Sequence, residues 1–228
     1  MRRWFLLFLC VASMTATTVM AQDDVEYQME VGGGAGLLTY QGDFNGSLLK
    51  HMQPMGSVWL RRVFNPYMGL RASVGAGKIK GNQKDADTYH PDLDATYQFD
   101  NLLVDFGVVF ECNFWPYGTG RDYRGAKRLT PYVFAGLGGT FVKGDEKNVF
   151  TANVPFGVGV KYKIGDRLNL GVSLAMHLSM SDELDGRKDP YGIKSSGLFK
   201  NTDCYTMLQV SLTYSFMAKC RTCHNDDE

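Results

Sequence analysis

The amino-acid sequence predicts an all-β fold, an eight-stranded antiparallel β-barrel that spans a membrane. Three observations lead to this prediction. Apolar and polar residues alternate with a period of two. The connections between these segments are alternately short and long, and the N-terminal residues have the pattern of a secretory signal. A period of two is typical of strands with two different faces, and short turns at one end with long polar loops at the other are typical of outer-membrane barrels.

The N-terminal residues have the order of a signal peptide. Arg2 and Arg3 precede an apolar run over 4–12, and Ala21 is a small residue before Gln22. The apolar run is too short to cross a bilayer as a helix, so we expect cleavage between Ala21 and Gln22. The predicted organisation is then a signal peptide, a barrel and a periplasmic tail, over 1–21, 22–216 and 217–228.

Composition narrows the possible classes of function. The chain has 24 Lys and Arg against 24 Asp and Glu, and removal of Arg2 and Arg3 leaves 22 against 24, a net charge of −2. That balance indicates no nucleic-acid partner. Mean hydropathy is −0.20, and no later segment holds eighteen consecutive apolar residues, so we expect no membrane-spanning helix. The 26 glycines and 13% aromatic residues favour curved strands with aromatic girdles, although composition alone also allows a secreted soluble sandwich.

Eight segments carry the alternation. The seventh is the clearest, with Leu168, Val172 and Leu174 on an apolar face and Ser173 on a polar one. The first is expected to point Glu30 inward, and the facing of the fifth is left open. The predicted strands cover 26–40, 54–64, 68–80, 97–114, 130–142, 150–164, 167–179 and 204–216.

The polar face distinguishes a membrane barrel from a soluble sandwich. A sandwich needs a bulky inward face and a polar outward face. Here the polar face combines glycine and serine with Asp105, Glu111, Lys161 and Lys163. These residues suit a narrow, hydrogen-bonded lumen better than a solvent-exposed face, and we therefore predict the barrel.

One connection is long although it lies at the end of the barrel where short turns are expected. The segment 115–129 joins the fourth and fifth strands at the end where the other turns, 64–67 and 165–166, are tight. It holds four cations and three aromatic residues, and arginine and aromatic residues anchor many protein interfaces. The candidate partner-binding residues are Trp115, Tyr117, Arg121, Tyr123, Arg124, Lys127 and Arg128. The alternative is an irregular turn with ordinary solvated charge.

The tail contains Cys220 and Cys223 followed by His224. Haem attachment would need a pocket and usually a second axial ligand, neither of which a twelve-residue tail supplies. Zinc bound by these three residues and a fourth ligand is a less favoured alternative, so we expect no cofactor and no metal. Disulfide chemistry fits an oxidising periplasm better. Cys112 is predicted at the same end of the barrel and is the candidate for pairing with Cys220 or Cys223, whereas Cys204 is predicted at the opposite rim.

The pair His177 and Ser179 raises the possibility of an enzyme. Its pattern resembles the His and Ser of outer-membrane lipid A deacylases, whose pair faces lipid. Here both residues fall in the polar phase of the seventh strand and should point into the lumen. No oriented third residue is evident, so a lipid A esterase is a remote alternative and we expect no enzyme.

Several strings resemble the PorG-type eight-stranded barrels of the type IX secretion system, over nearly the whole mature chain. They lie at 38–44, 65–71, 130–138, 154–162, 166–171 and 181–186, and the string 38–44 and the turn 115–129 point most narrowly to PorG.

This resemblance implies a non-enzymatic outer-membrane protein that contacts a periplasmic ring of PorK-type lipoprotein and PorN. Only the periplasmic turns and the tail would make that contact. The alternative is a standalone structural or adhesive barrel of the OmpA and OmpX kind, whose functional end would be the long surface loops. An eight-stranded lumen is filled by side chains, so transport is not expected in either case.

Overall fold

Eight antiparallel strands make up the computed structural model of the protein. It describes residues 25, 27–41, 52–82, 98–117, 127–143, 148–180 and 204–218. The strands are β1 Tyr27–Gln41, β2 Gln53–Asn65, β3 Met68–Asn82, β4 Gln98–Asn113, β5 Leu129–Lys143, β6 Asn148–Lys163, β7 Leu168–Ser179 and β8 Cys204–Ala218. The strand bounds agree with the predicted ranges to within two residues. The segments 1–21 and 219–228, with the expected cleavage site at Ala21 and Gln22, lie outside the described residues.

The sheet closes on itself. Each strand pairs with its neighbour in sequence, and β1 also pairs with β8, so the predicted closed antiparallel barrel is confirmed. Closure leaves no unpaired strand edge, and an unpaired edge would be costly within a bilayer. Among the described residues, no helix is long and apolar enough to span a membrane.

The turns give the barrel two different ends. At one end, β2 and β3 are joined by Pro66 and Tyr67, where the Tyr67 amide donates to Asn65 Oδ1 at 2.9 Å. The same end carries the turn 164–167, in which the amide of Ile164 donates to the Leu168 carbonyl at 2.9 Å. We call this the short-turn end and the opposite end the long-loop end.

The strands point their apolar phase outward. Val172 and Leu174 are 44% and 47% exposed, whereas Ser173 between them is 9% exposed. Glu30, Asp105, Glu111 and Lys161 are buried inside the barrel. The polar phase of the alternating strands therefore faces the lumen as predicted, which is the reverse of a water-soluble β-protein.

The facing of β5 is resolved by the structure. Tyr132 and Phe134 are buried in the lumen, while Val133 and Leu137 face outward. Both faces of this strand carry large apolar side chains. The alternation in the sequence therefore does not show which face of β5 lines the lumen. The lumenal rings are accommodated because β6 places Gly159 and Gly157 directly opposite them.

Candidate functional site

Five charged side chains meet in the lumen near the short-turn end, and we call them the ionic cluster. They are Glu30, Arg61, Arg71, Glu111 and Lys161, from β1, β2, β3, β4 and β6. The register explains the placement of three of them, because Glu30 is opposite Arg61 and Arg61 is opposite Arg71. Three cations and two carboxylates leave the cluster with a charge of +1.

Glu111 is the centre of the ionic cluster. Its side chain is 1% exposed, and its Oε2 lies 2.6 Å from Lys161 Nζ and 2.9 Å from Arg61 Nε. Arg71 Nε lies 3.2 Å from the other oxygen, and Arg61 pairs in addition with Glu30 at 2.5 Å. One carboxylate thus offsets charge from three strands, which ties together opposite walls of the barrel.

Aromatic rings enclose the cations of the ionic cluster. Lys161 Nζ lies 4.3 Å from the centre of the Tyr132 ring. The Arg71 guanidinium lies 5.0 Å from the Phe134 ring and 5.8 Å from the Trp59 ring. Cation–π contacts of this kind stabilise a desolvated cation and fill the lumen at the same time.

A second polar network lies toward the long-loop end. Asp105 Oδ2 accepts hydrogen bonds from the Tyr205 hydroxyl at 2.6 Å and from Asn153 Nδ2 at 2.7 Å. Thr140 Oγ1 is 2.7 Å from the same hydroxyl. His177 stacks on the Tyr205 ring at 4.5 Å, with Nδ1 3.5 Å from Asp105 Oδ2.

His177 and Ser179 point into the lumen, as the sequence predicted. Both are buried, and the Ser179 hydroxyl lies 3.5 Å from Thr151 Oγ1. The pair is therefore separated from the lipid-facing surface by the barrel wall. His177 stacks on Tyr205 and lies beside Asp105 in the lumen, which does not resemble the lipid-facing arrangement of the deacylases.

Two small cavities lie in the described part of the lumen. A cavity of about 40 Å³ lies between the ionic cluster and the Asp105 network, and one of about 20 Å³ lies at the short-turn end. A water molecule needs about 10–15 Å³ measured in this way, so these cavities hold one to a few waters. The lumen is a packed polar core, as is usual for eight strands.

The described ends of the segment after β4 are hydrogen-bonded to each other and to the β2–β3 turn at the short-turn end. The Tyr117 amide donates to the Pro66 carbonyl at 3.1 Å, and the Lys127 amide donates to the Pro116 carbonyl at 3.0 Å. The second bond brings together the two ends of the segment 118–126, which itself lies outside the described residues. The long turn is therefore tied at its base to the β2–β3 turn.

Tyr117 corrects one expectation from the sequence. The sequence predicts it as a partner-binding candidate, but it is 4% exposed and donates from its hydroxyl to Asn169 Oδ1 at 2.7 Å inside the barrel end. Burial and the nearby carboxylate of Glu30 raise the pKa of Tyr117, so it stays protonated as a hydrogen-bond donor. A ring at this position fills the mouth of the lumen beside the ionic cluster.

The remaining candidates of the turn divide into two groups. Trp115 is 45% exposed, and Lys127 and Arg128 are exposed beside it at the short-turn end. Thr130 holds the backbone of Trp115, because its hydroxyl contacts both the Trp115 amide and the Trp115 carbonyl. The other candidates, Arg121, Tyr123 and Arg124, lie outside the described residues.

Cys112 lies at the short-turn end, as predicted, in the outward phase of β4 between Met68 and Val133. Cys112 is half-buried. The part of the chain that the structure describes contains no disulfide, and Cys220 and Cys223 lie outside it. Cys204 begins β8 at the long-loop end. Among the described residues, no His, Cys, Asp and Glu side chains are grouped to hold a metal ion.

Residues 3–225 match the model of a protein family, DUF6089, which is described as a domain of unknown function. The chain belongs to the DUF6089 family. No curated protein matches the sequence.

Several solved structures are similar to this chain at low sequence identity. Neisserial surface protein A, NspA, is 13% identical with a TM-score of 0.52, over 82% of this chain and 97% of NspA. Ail of Yersinia pestis is 11% identical with a TM-score of 0.49, over 84% and 99%. OprG of Pseudomonas aeruginosa is 10% identical with a TM-score of 0.49, over 85% and 98%. The likeness to NspA identifies the fold as a small barrel of the outer-membrane type.

Proposed function

We propose that this DUF6089 protein is a non-enzymatic outer-membrane barrel of the small, standalone structural or adhesive kind. The filled lumen is the observation that carries the proposal. Glu111 and its three cations close the interior at one end, and the Asp105 network closes it toward the other. A function in such a barrel belongs to the surfaces that project from the membrane.

The outer membrane is the location that the outer surface favours. Outward positions of all eight strands expose large apolar side chains, such as Val31, Leu60 and Val74 on β1 to β3. In water this surface would exceed the apolar patches that soluble monomers tolerate. We assign the long-loop end to the cell surface and the short-turn end to the periplasm, as in other outer-membrane barrels.

Cysteine labelling of intact cells tests the location and the orientation. In a background without the native cysteines, single cysteines at Asn45, Asp92 and Arg187 should react with an impermeant maleimide. A cysteine at Tyr123 should react only after the outer membrane is permeabilised. Protection of the three loop positions together with exposure at Tyr123 would reverse the orientation. Protection at all four positions would argue against the outer membrane.

A scaffold role in type IX secretion is the second candidate, and the tied turn favours it. A standalone barrel does not need a fifteen-residue basic turn at its periplasmic end, nor Tyr117 inserted into the lumen to hold its base. In this proposal the barrel contacts a PorK/PorN-type ring through Trp115, Lys127 and Arg128 and through the tail. Crosslinking in outer membranes followed by capture would recover the ring proteins, and Lys127→Glu with Arg128→Glu would reduce the yield.

The cysteine tail is part of the same candidate role. We propose that Cys220 or Cys223 forms a disulfide with Cys112 or with the ring lipoprotein, since the periplasm is oxidising. Because β8 continues to Ala218, a truncation that spares the barrel must begin at Lys219. It should leave the folded barrel intact and abolish capture. Non-reducing gels of Cys112→Ser, Cys220→Ser and Cys223→Ser identify the pairing, and a truncated protein that still captures the ring proteins would leave the standalone barrel as the function.

A further inference from the structure

Three lysines form an outward-facing basic patch at the long-loop end, on β3 and β5. Lys78 of β3 and Lys143 of β5 are both register partners of Leu102 on β4, so the three residues lie in one row across the barrel wall. Lys80 lies one outward position beyond Lys78, opposite Asp100. The lysine side chains are exposed, at 58% for Lys78 and 40% for Lys80, and Lys143 is exposed as well.

The apolar outer surface of the barrel ends next to this patch, which shows where the patch lies along the barrel axis. On β3 the outward position before Lys78 is Ala76, preceded by Val74. On β5 the outward position before Lys143 is Phe141. On β4, Leu102 is the last apolar outward side chain before Asp100. The lysines therefore lie at the upper edge of the membrane-facing band, at the level where lipid headgroups begin.

Among the described residues, the charge of the patch is only partly offset. Asp100 Oδ2 lies 3.1 Å from Lys80 Nζ and 3.6 Å from Lys78 Nζ. One carboxylate against three ammonium groups leaves a net charge of +2. Each ammonium has three donors, and one shared carboxylate oxygen satisfies few of them.

We infer that Lys78, Lys80 and Lys143 bind the phosphate groups of lipid A in the outer leaflet. Lipid A presents phosphorylated sugars at this level, and its acyl chains would lie on the apolar band formed by Val74, Leu102 and Phe141. This inference rests on the proposed outer-membrane orientation. The site belongs to the outside of the wall and does not use the lumen.

Binding of fluorescent lipid A to the full-length barrel in neutral detergent micelles tests the inference. Basic residues near a lipid surface contribute about 1 kcal/mol each, so removal of three positive charges in K78Q/K80Q/K143Q should weaken binding on the order of 100-fold. Asp100→Asn should tighten binding several-fold, because it removes the competing carboxylate. Arg62 and Arg167 are exposed at the short-turn end. The double variant R62Q/R167Q is the control for charge removed away from the patch, and its binding should be unchanged.

Several results would overturn the inference. If the triple variant kept wild-type affinity, or if dephosphorylated lipid A bound equally well, the lysines would not be a binding site for the phosphate groups. Equal affinity for phosphatidylglycerol would replace lipid A with a general attraction to anionic lipid. Weaker binding in Asp100→Asn would show that binding needs the ion pairs of Asp100 with the lysines, and not the positive charge that they leave. Heat-dependent gel mobility verifies that each variant is folded, and the micelle assay is independent of the cell-surface labelling, so the site and the orientation can fail separately.

Discussion

The phenol ring of Tyr132 on β5 covers Gly159 on β6, its partner across the strand pair. A Cβ added at Gly159 would lie 2.6 Å from ring carbons of Tyr132. Trp59 covers Gly32 and Phe134 covers Gly157 in the same way, each opposite its own partner. The lumen accepts large rings because the neighbouring strand has no side chain there.

Gly159→Ala should therefore destabilise the barrel. The new methyl group must displace the Tyr132 ring and with it the contact of that ring to Lys161, at a cost of about 1–3 kcal/mol. Gly33→Ala is the control, since a Cβ there has its nearest neighbour at 3.7 Å, an ordinary contact. Urea unfolding in lipid vesicles measures both, and equal stability of the two variants would show that the ring does not require the glycine.

Glu111→Gln should be among the most damaging single changes in the lumen. It leaves Arg61, Arg71 and Lys161 buried with one carboxylate fewer, which costs about 3–5 kcal/mol. Asp100→Asn breaks an exposed ion pair and should cost about 0–1 kcal/mol. Adding Lys161→Met to Glu111→Gln should restore part of the stability, because one excess charge is removed. An additive effect of these two changes would contradict a shared cluster.

Arginine on the outer face should be costly in proportion to its depth. Val172→Arg, near the middle of β7, should cost about 2–4 kcal/mol, and Leu178→Arg, at the rim of the same strand and the same face, about 0–1 kcal/mol. Val108→Arg and Leu174→Arg should resemble Val172→Arg. Unfolding free energies in vesicles provide the comparison, and a cost that does not depend on depth would mean that this face does not contact lipid.

Tyr117→Phe should loosen the base of the long turn. The loss of its hydrogen bond to Asn169 should cost about 1 kcal/mol and speed hydrogen exchange at the Tyr117 and Lys127 amides. Tyr67→Phe changes an exposed tyrosine at the same end and should leave the exchange unaltered. Unchanged exchange in Tyr117→Phe would mean that the backbone bonds alone hold the turn.

The sequence was enough for the strands, their approximate bounds and most of their facing. A period of two places successive side chains on opposite faces, so Val172 and Ser173 are assigned to different environments by spacing alone. It was not enough for β5, where Tyr132 and Val133 are both apolar. The burial of Tyr117 was also missed, because a tyrosine in a basic turn has no periodic neighbours to mark its direction.

The sequence by itself determined that this chain is a closed antiparallel barrel with an apolar exterior and a polar interior. The tertiary structure alone decided which lumenal groups meet. Glu111 contacts partners that are 40 to 50 positions away in sequence, on three other strands, and the fit of Tyr132 to Gly159 depends on the register of β5 with β6. The physical reason is that alternation specifies only the face of each residue, whereas ion pairs and ring packing depend on the height at which neighbouring strands align.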